Sequence, residues 1–246
     1  MGLLFDPETM SSAVERCLSW CTGPRASHTV VTANAGVLCM MRRDPELRQA
    51  CRAGDLILAD GMSVVWALRL ASTPVPERVT GVDLMSQLLA AGASRGLRAF
   101  FLGAREEVVQ ALAHSCRTRH PGLAVAGHRN GYFSGSDHAA IVEEIRESRP
   151  DMLFVGMPSP FKEVFLERHR ERLEVPILMG VGGSFDVLAG YVTRAPRWLR
   201  GAGMEWSWRL LMEPRKMWKR YLTTNTEYLW TAGREVLARR KGTPSA

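Results

Sequence analysis

No stretch of eighteen uninterrupted apolar residues occurs in this 246-residue chain, so no membrane-spanning helix is expected. The first ten residues, MGLLFDPETM, carry Asp6 and Glu8 and no basic segment ahead of a long apolar one, so no signal peptide is expected either. Cysteine is sparse: five residues, an odd number, with no C-x-x-C pair. Reduced, buried thiols in a cytoplasmic protein are the expectation. The six histidines form no H-E-x-x-H and have no neighbouring cysteine ligands, which favours solvated or structural histidines over a zinc site. G-x-x-x-x-G-K-[ST] is missing, and so is D-x-D. If the ligand is a diphosphate, arginines rather than a carboxylate-held metal must neutralise it. No metal and no cofactor are expected. Internal repeats and low-complexity segments are absent too.

What is present is unevenly spread. The composition, 46% hydrophobic and 23% charged, suits a soluble globular protein with one good core. The net charge of +7 is local: residues 194–246 hold 12 Lys and Arg against 4 Asp and Glu, whereas residues 1–193 hold 20 against 21. Five of the seven tryptophans also fall in the last 53 residues. A separate task for the C-terminal region follows.

From residue 28 the chain alternates short β-type runs with helical stretches. HTVVTA, DLILAD, RAFFLG, LAVAGH, DMLFVG and VPILMG read as strands. AGVLCMMRRDPELRQACR reads as one or two helices; GMSVVWALRLA, VTGVDLMSQLLAAGASRG, REEVVQALAHSCRTRH and SDHAAIVEEIRES read as further ones. Short strands separated by helices of ten to fifteen residues imply a doubly wound, mostly parallel, Rossmann-like α/β sheet with helices on both faces. Residues 1–193 form this domain in the present reading. Residues 194–246 form a small, basic, tryptophan-rich helical appendage.

In such folds ligands bind beyond the carboxyl ends of the strands. That rule picks out Thr32 and Asn34, Asp60 and Gly61, Gly103, the turn from Gly156 to Pro160, and Gly180 to Gly183. Turn glycines are also needed sterically. GVGGSFDVLAG has a phosphate-binding look without being G-x-G-x-x-G, and it is the last β–α turn rather than the first. Asp60 ends the apolar run LILA and precedes glycine, where a general base can sit; an N-cap for a helix beginning near Met62 explains it equally. Arg78, in PERVTGVD, is either a surface residue or an anion clamp, and one reading of Asp83 is that it simply caps the next helix.

In the appendage, Pro214 suits a helix first turn. At roughly 100° per residue, Met217, Trp218, Tyr221, Leu222, Tyr228 and Leu229 fall within ~140° of arc, with Arg215, Lys216, Lys219 and Arg220 largely opposite. A helix packed on the domain explains this pattern, and so does an interfacial helix at a membrane. Nucleic acid is the rival for a basic aromatic surface, but no recognised module is present and the main domain is slightly acidic, so no nucleic-acid partner is expected.

These stretches together resemble the WecG/TagA/CpsF family of glycosyltransferases, through TANAGVLCMMRRDPELRQAC, LILADGMSVVWALRL, PERVTGVDL, FLGAREEVV, MLFVGMPSPFKE, GVGGSFDVLAG and RAPRWLRGAGMEWSWRLLMEPRKMWKRYL, in family order over nearly the whole chain. The resemblance implies an inverting, metal-independent transfer from a UDP-sugar to a polyprenyl-diphosphate-linked saccharide, in cell-surface or exopolysaccharide synthesis. It places the protein peripherally on the inner face of the cytoplasmic membrane. It makes Asp60 the base, puts Thr32 and Asn34 on the family's T-x-N, and puts Arg78 on its R-[VI]-x-G. Substrate contacts are expected from Gly103, Gly156, Lys162, Glu163, Gly182, Gly183 and Asp186, and from cations among Arg209, Lys216, Lys219 and Arg220. The family usually reads G-x-P-K-Q-E where this chain has SPFKE, so Lys162 stands in the glutamine's place, and donor contacts inferred there are the least secure. The N-terminus is also shorter than usual, which would remove a first strand. The alternative function is a non-catalytic scaffold or binding protein of a polysaccharide assembly complex. Neither the donated sugar nor a homo-oligomeric state is fixed by these residues.

Overall fold

A computed structural model describes residues 3–73, 75–196, 198–199 and 204–212; the side chains of Trp206, Arg209 and Met212 stand outside that description. The elements run α1 (Met10–Ser19), β1 (His28–Ala33), α2 (Ala35–Arg43), α3 (Pro45–Arg52), β2 (Leu56–Ala59), α4 (Met62–Leu70), α5 (Gly81–Ala93), β3 (Arg98–Gly103) and α6 (Glu106–Arg119). They continue with β4 (Ala124–Arg129), α7 (His138–Glu147), β5 (Met152–Gly156), α8 (Phe161–Leu173), β6 (Ile177–Gly180), α9 (Ser184–Leu188) and α10 (Glu205–Met212).

The strands pair in the order β2-β1-β6-β5-β3-β4, and every pairing is parallel. The expected doubly wound α/β sheet is therefore present. Among the described residues α1, not a strand, precedes β1. Strands β2, β5 and β6 are buried at every residue, because helices cover both faces of the sheet. Alternate residues serve opposite cores. Val30, Phe101, Phe154 and Met179 pack with α1, α5, α6 and α9. On the other face Val31 and Ile57 meet α2, α3 and α4, while Phe100, Leu153 and Leu178 meet α7 and α8.

Local chemistry sets the breaks. Asp44 closes α2 and its Oδ1 accepts the Leu47 amide at 3.0 Å, with Pro45 in the first turn of α3, so AGVLCMMRRDPELRQACR is two helices. The helix after β1 (α2) goes to one face and the helix after β6 (α9) to the other, although the two strands are neighbours. Such a reversal opens a crevice above the carboxyl ends of the strands. Among the described residues no helix is long and apolar enough to cross a membrane.

Candidate active site

Four of the expected residues gather at that crevice. Thr32 lies one residue from the end of β1, paired with Leu58 of β2. Asp60 leaves β2 with its amide on the Ala33 carbonyl (3.0 Å), and the next residue, Gly61, has φ +138°, a turn that L side chains rarely make. The N-cap position of α4 belongs to Gly61, which offers no side-chain cap, and not to Asp60. Asp60 Oδ2 instead accepts the Gly81 amide at 3.4 Å, the first residue of α5. Segment 78–81 is drawn there because Val79 N–H bonds the Ala59 carbonyl (3.0 Å). Gly81 must be small: a Cβ there would stand 3.0 Å from Thr32 Oγ1.

Asn34 has a structural task within this group. It is the N-cap of α2, its Oδ1 accepting the Val37 amide at 3.1 Å. Thr80 does the same for α5: its Oγ1 accepts the Asp83 amide (3.2 Å) and donates to Asp83 Oδ2 (2.6 Å). Asp83 thus belongs to the capping of its own helix, as the sequence reading had it.

Asp83 also reaches far along the chain. Arg194 Nη1 and Nη2 donate to its two oxygens at 2.6 and 2.7 Å, a fork-on-fork pair, and Arg194 Nε donates to Glu205 Oε1 at 3.1 Å. Glu205 Oε2 faces Arg78 Nη1 at 3.5 Å. Burial alone would lower the pKa of the Arg194 guanidinium; the bonds to Asp83 and Glu205 more than reverse this and hold it above its ordinary value. Arg194 and Glu205 were not singled out by the sequence. The T-x-x-D spacing of Thr80 and Asp83 was the one local signal, and it reports a cap rather than a partner 111 positions away.

The remaining expected residues are distributed differently. Gly103 (φ +131°) lies against Gly156: a Cβ at Gly103 would sit 2.6 Å from the Gly156 backbone, and one at Gly156 would sit 2.5 Å from the Phe185 ring. Close packing between β3, β5 and α9 accounts for both glycines. Gly182 adopts φ +51°, Gly183 has open space where a Cβ would be, and Asp186 is half-buried in the first turn of α9. Lys162 and Glu163 are buried, and pair with each other and with Ser159; Ser159 Oγ donates to Glu163 Oε1 at 2.7 Å. The Lys162 stem packs under Gly180, 3.0 Å from where its Cβ would be. Glu163 Oε2 and Thr29 Oγ1 are buried without a hydrogen-bond partner among the described residues, beside a void of about 10 Å³ that Thr32 and Gly180 also line. Such a void has room for about one water. Lys216, Lys219, Arg220 and the Arg209 side chain lie outside the described residues, as does the amphipathic stretch from Pro214 onward.

Two negative points concern other chemistries. Among the described residues no group of three or more His, Cys, Asp or Glu is placed to hold a metal ion. The spacing G-x-S-x-G does occur at residues 92–96, but there α5 runs out toward β3. Ser94 is the C-cap and its hydroxyl donates to the Ala91 carbonyl at 2.8 Å, so this is a helix-to-strand turn and not a nucleophile elbow.

Comparison with known proteins matches residues 1–242 to a model described as the glycosyl transferase WecG/TagA/CpsF family. An N-acetylglucosaminyldiphosphoundecaprenol N-acetyl-beta-D-mannosaminyltransferase of Bacillus spizizenii (strain ATCC 23059 / NRRL B-14472 / W23) is 34% identical over 194 residues, 79% of this chain and 74% of that protein. Proteins of the same name from Staphylococcus aureus (strain MW2) and Bacillus subtilis (strain 168) are 33% and 30% identical, covering 89% and 79% of this chain and 85% and 75% of their own lengths. By this match over nearly the whole chain and by these relatives, the chain belongs to the WecG/TagA/CpsF family of glycosyltransferases.

Proposed function

We propose that the protein transfers a sugar from a UDP-sugar to a polyprenyl-diphosphate-linked saccharide, inverting the anomeric centre without a metal, in cell-surface polysaccharide synthesis. The observation that carries this reading is the placement of Asp60, at a strand's carboxyl end with its Oδ2 on the first amide of α5 and Thr32 close by. The acceptor hydroxyl gives its proton to Asp60 as its oxygen attacks the anomeric carbon. The bond from that carbon to the UDP diphosphate breaks on the opposite face, and the electron pair leaves with the diphosphate. Arg78 supplies positive charge for the departing diphosphate. The relatives' names favour N-acetylmannosamine as the donated sugar and diphosphoundecaprenol-linked N-acetylglucosamine as the acceptor.

The division at residue 193, with 194–246 as a membrane-associating appendage on the inner face of the cytoplasmic membrane, belongs to the same proposal. Its support is the concentration of positive charge and tryptophan in that region. Incubation with a panel of UDP-sugars and a short-chain polyprenyl-diphosphate saccharide, with chelator present, should release UDP. Folded protein giving no turnover across the panel would sink the reading in favour of a scaffold. Co-sedimentation with anionic but not neutral vesicles tests the membrane part independently.

A further inference from the structure

We propose that Glu205 is a positioning residue for Arg78, and that the Arg194–Asp83 pair is the latch holding α10 where Glu205 can act. The inference rests on the reading of Arg78 as a cation for the diphosphate. Glu205 is one of few buried charged residues, and its side chain, those of Arg194 and Arg78, are exposed only 12%, 18% and 15%. Charges so far from water persist only when paired and hydrogen-bonded. Here the pairing is continuous: Asp83 to Arg194, Arg194 to Glu205, Glu205 to Arg78. Within this chain of pairs, guanidiniums and carboxylates alternate.

The chain of bonds enters the site at two points. One is the Arg78 guanidinium. The other is the Thr80–Asp83 cap, whose next residue, Gly81, donates to Asp60. Within the same C-terminal segment, Trp208 Nε1 donates to the Thr193 carbonyl (3.2 Å) and the Met204 amide, just ahead of α10, to the Leu199 carbonyl (3.0 Å). Arg78 is thereby oriented before any ligand arrives, the arrangement in which a binding group loses least freedom on use.

UDP binding to the full chain, followed by calorimetry, separates positioning from simple stabilisation. Glu205→Gln should weaken UDP binding about tenfold, Arg78→Ala by at least as much, and the double variant no more than Arg78→Ala alone, since coupled residues are non-additive. Glu205→Asp should recover most of the affinity. Additive losses, or tighter binding in Glu205→Gln as expected of a carboxylate that merely competes with phosphate, would overturn the positioning role. Amide hydrogen exchange across Glu205–Met212 reads the latch with no ligand: Arg194→Gln should speed it about tenfold or more, and unchanged exchange overturns the latch. A wild-type chain that binds no UDP overturns the donor reading and the positioning role together, and the exchange result then judges the latch alone.

Discussion

At the amino end of β2, Asp55 accepts the Thr29 amide at 2.7 Å and the Arg170 guanidinium at 2.9 Å, while its own carbonyl accepts Arg16. At the carboxyl end of the same four-residue strand, Asp60 faces the first amide of α5. The two carboxylates stand five positions apart and work in different surroundings. The amino edge of the sheet is stitched shut. Arg170 also bonds the carbonyls of Ser27 and Ala53, and Asp151, ahead of β5, accepts the Arg98 amide and pairs with Arg25. The carboxyl edge is where helices begin, so their unpaired first amides converge on it. Strand direction, more than residue type, decides which aspartate is structural and which can be chemical.

Substitution can break that contrast. Asp60→Asn should cost about 10²–10⁴ in turnover, the usual worth of a general base, with the thermal midpoint unchanged; an active Asp60→Asn would erase the distinction between the edges. Asp55→Asn should do the converse. Losing the ionised partner of Arg170 costs about 1–3 kcal/mol of stability, several degrees in the midpoint, while turnover per folded molecule holds. Gly156→Ala should also lower stability by about 1–3 kcal/mol, because its Cβ must displace the Phe185 ring. A Gly156→Ala chain of normal stability that loses UDP binding would instead make that glycine a ligand contact. Asn34 sharpens the contrast more finely. Asn34→Ala should cost about 1 kcal/mol through the lost cap and Asn34→Ser only a fraction of that, so turnover that falls in Asn34→Ser would reveal a role beyond capping.

The core also makes stability depend on pH. Burial pushes the Cys17 and Cys51 thiols up to about 12, and those of Cys21 and Cys116 up to about 11. The folded chain therefore keeps protons that the unfolded chain releases above about pH 9. Stability from this source is complete below that pH and declines as pH rises from about 9 toward 12. Denaturation midpoints from pH 8 to 11 check the sign, and a chain that grows more stable over that interval contradicts it.

Much of this molecule could be read along the chain. HTVVTA and RAFFLG coincide with β1 and β3, because an apolar run bounded by polar residues needs no distant information. Asp60 was legible as a strand-end carboxylate; that Gly61 takes the N-cap position of α4, and that the Gly81 amide meets Asp60 Oδ2, was not. Gly103 and Gly156 looked like ligand turns from their places at strand ends; only the folded chain shows Gly103 closed in by the Gly156 backbone and Gly156 by the Phe185 ring. The Asp83–Arg194–Glu205–Arg78 chain left no local trace, since ionic partners carry no periodicity and these come together only when the C-terminal segment folds back on α5.

The order β2-β1-β6-β5-β3-β4 puts the last strand among the described residues at the centre of the sheet. On a ribosome, β1 and β5 are both complete before residue 177 exists, so each presents an open, apolar edge while the strand that joins them is still to come. Joining them closes contacts between His28 and Ile177, a separation that makes the step slow relative to local folding. In the finished sheet only β6 stands between β2-β1 and β5-β3-β4. Before β6 is made, the edges of β1 and β5 expose backbone that pairs readily with another nascent copy. Association during synthesis, rather than loss of the finished fold, is then the hazard this topology carries.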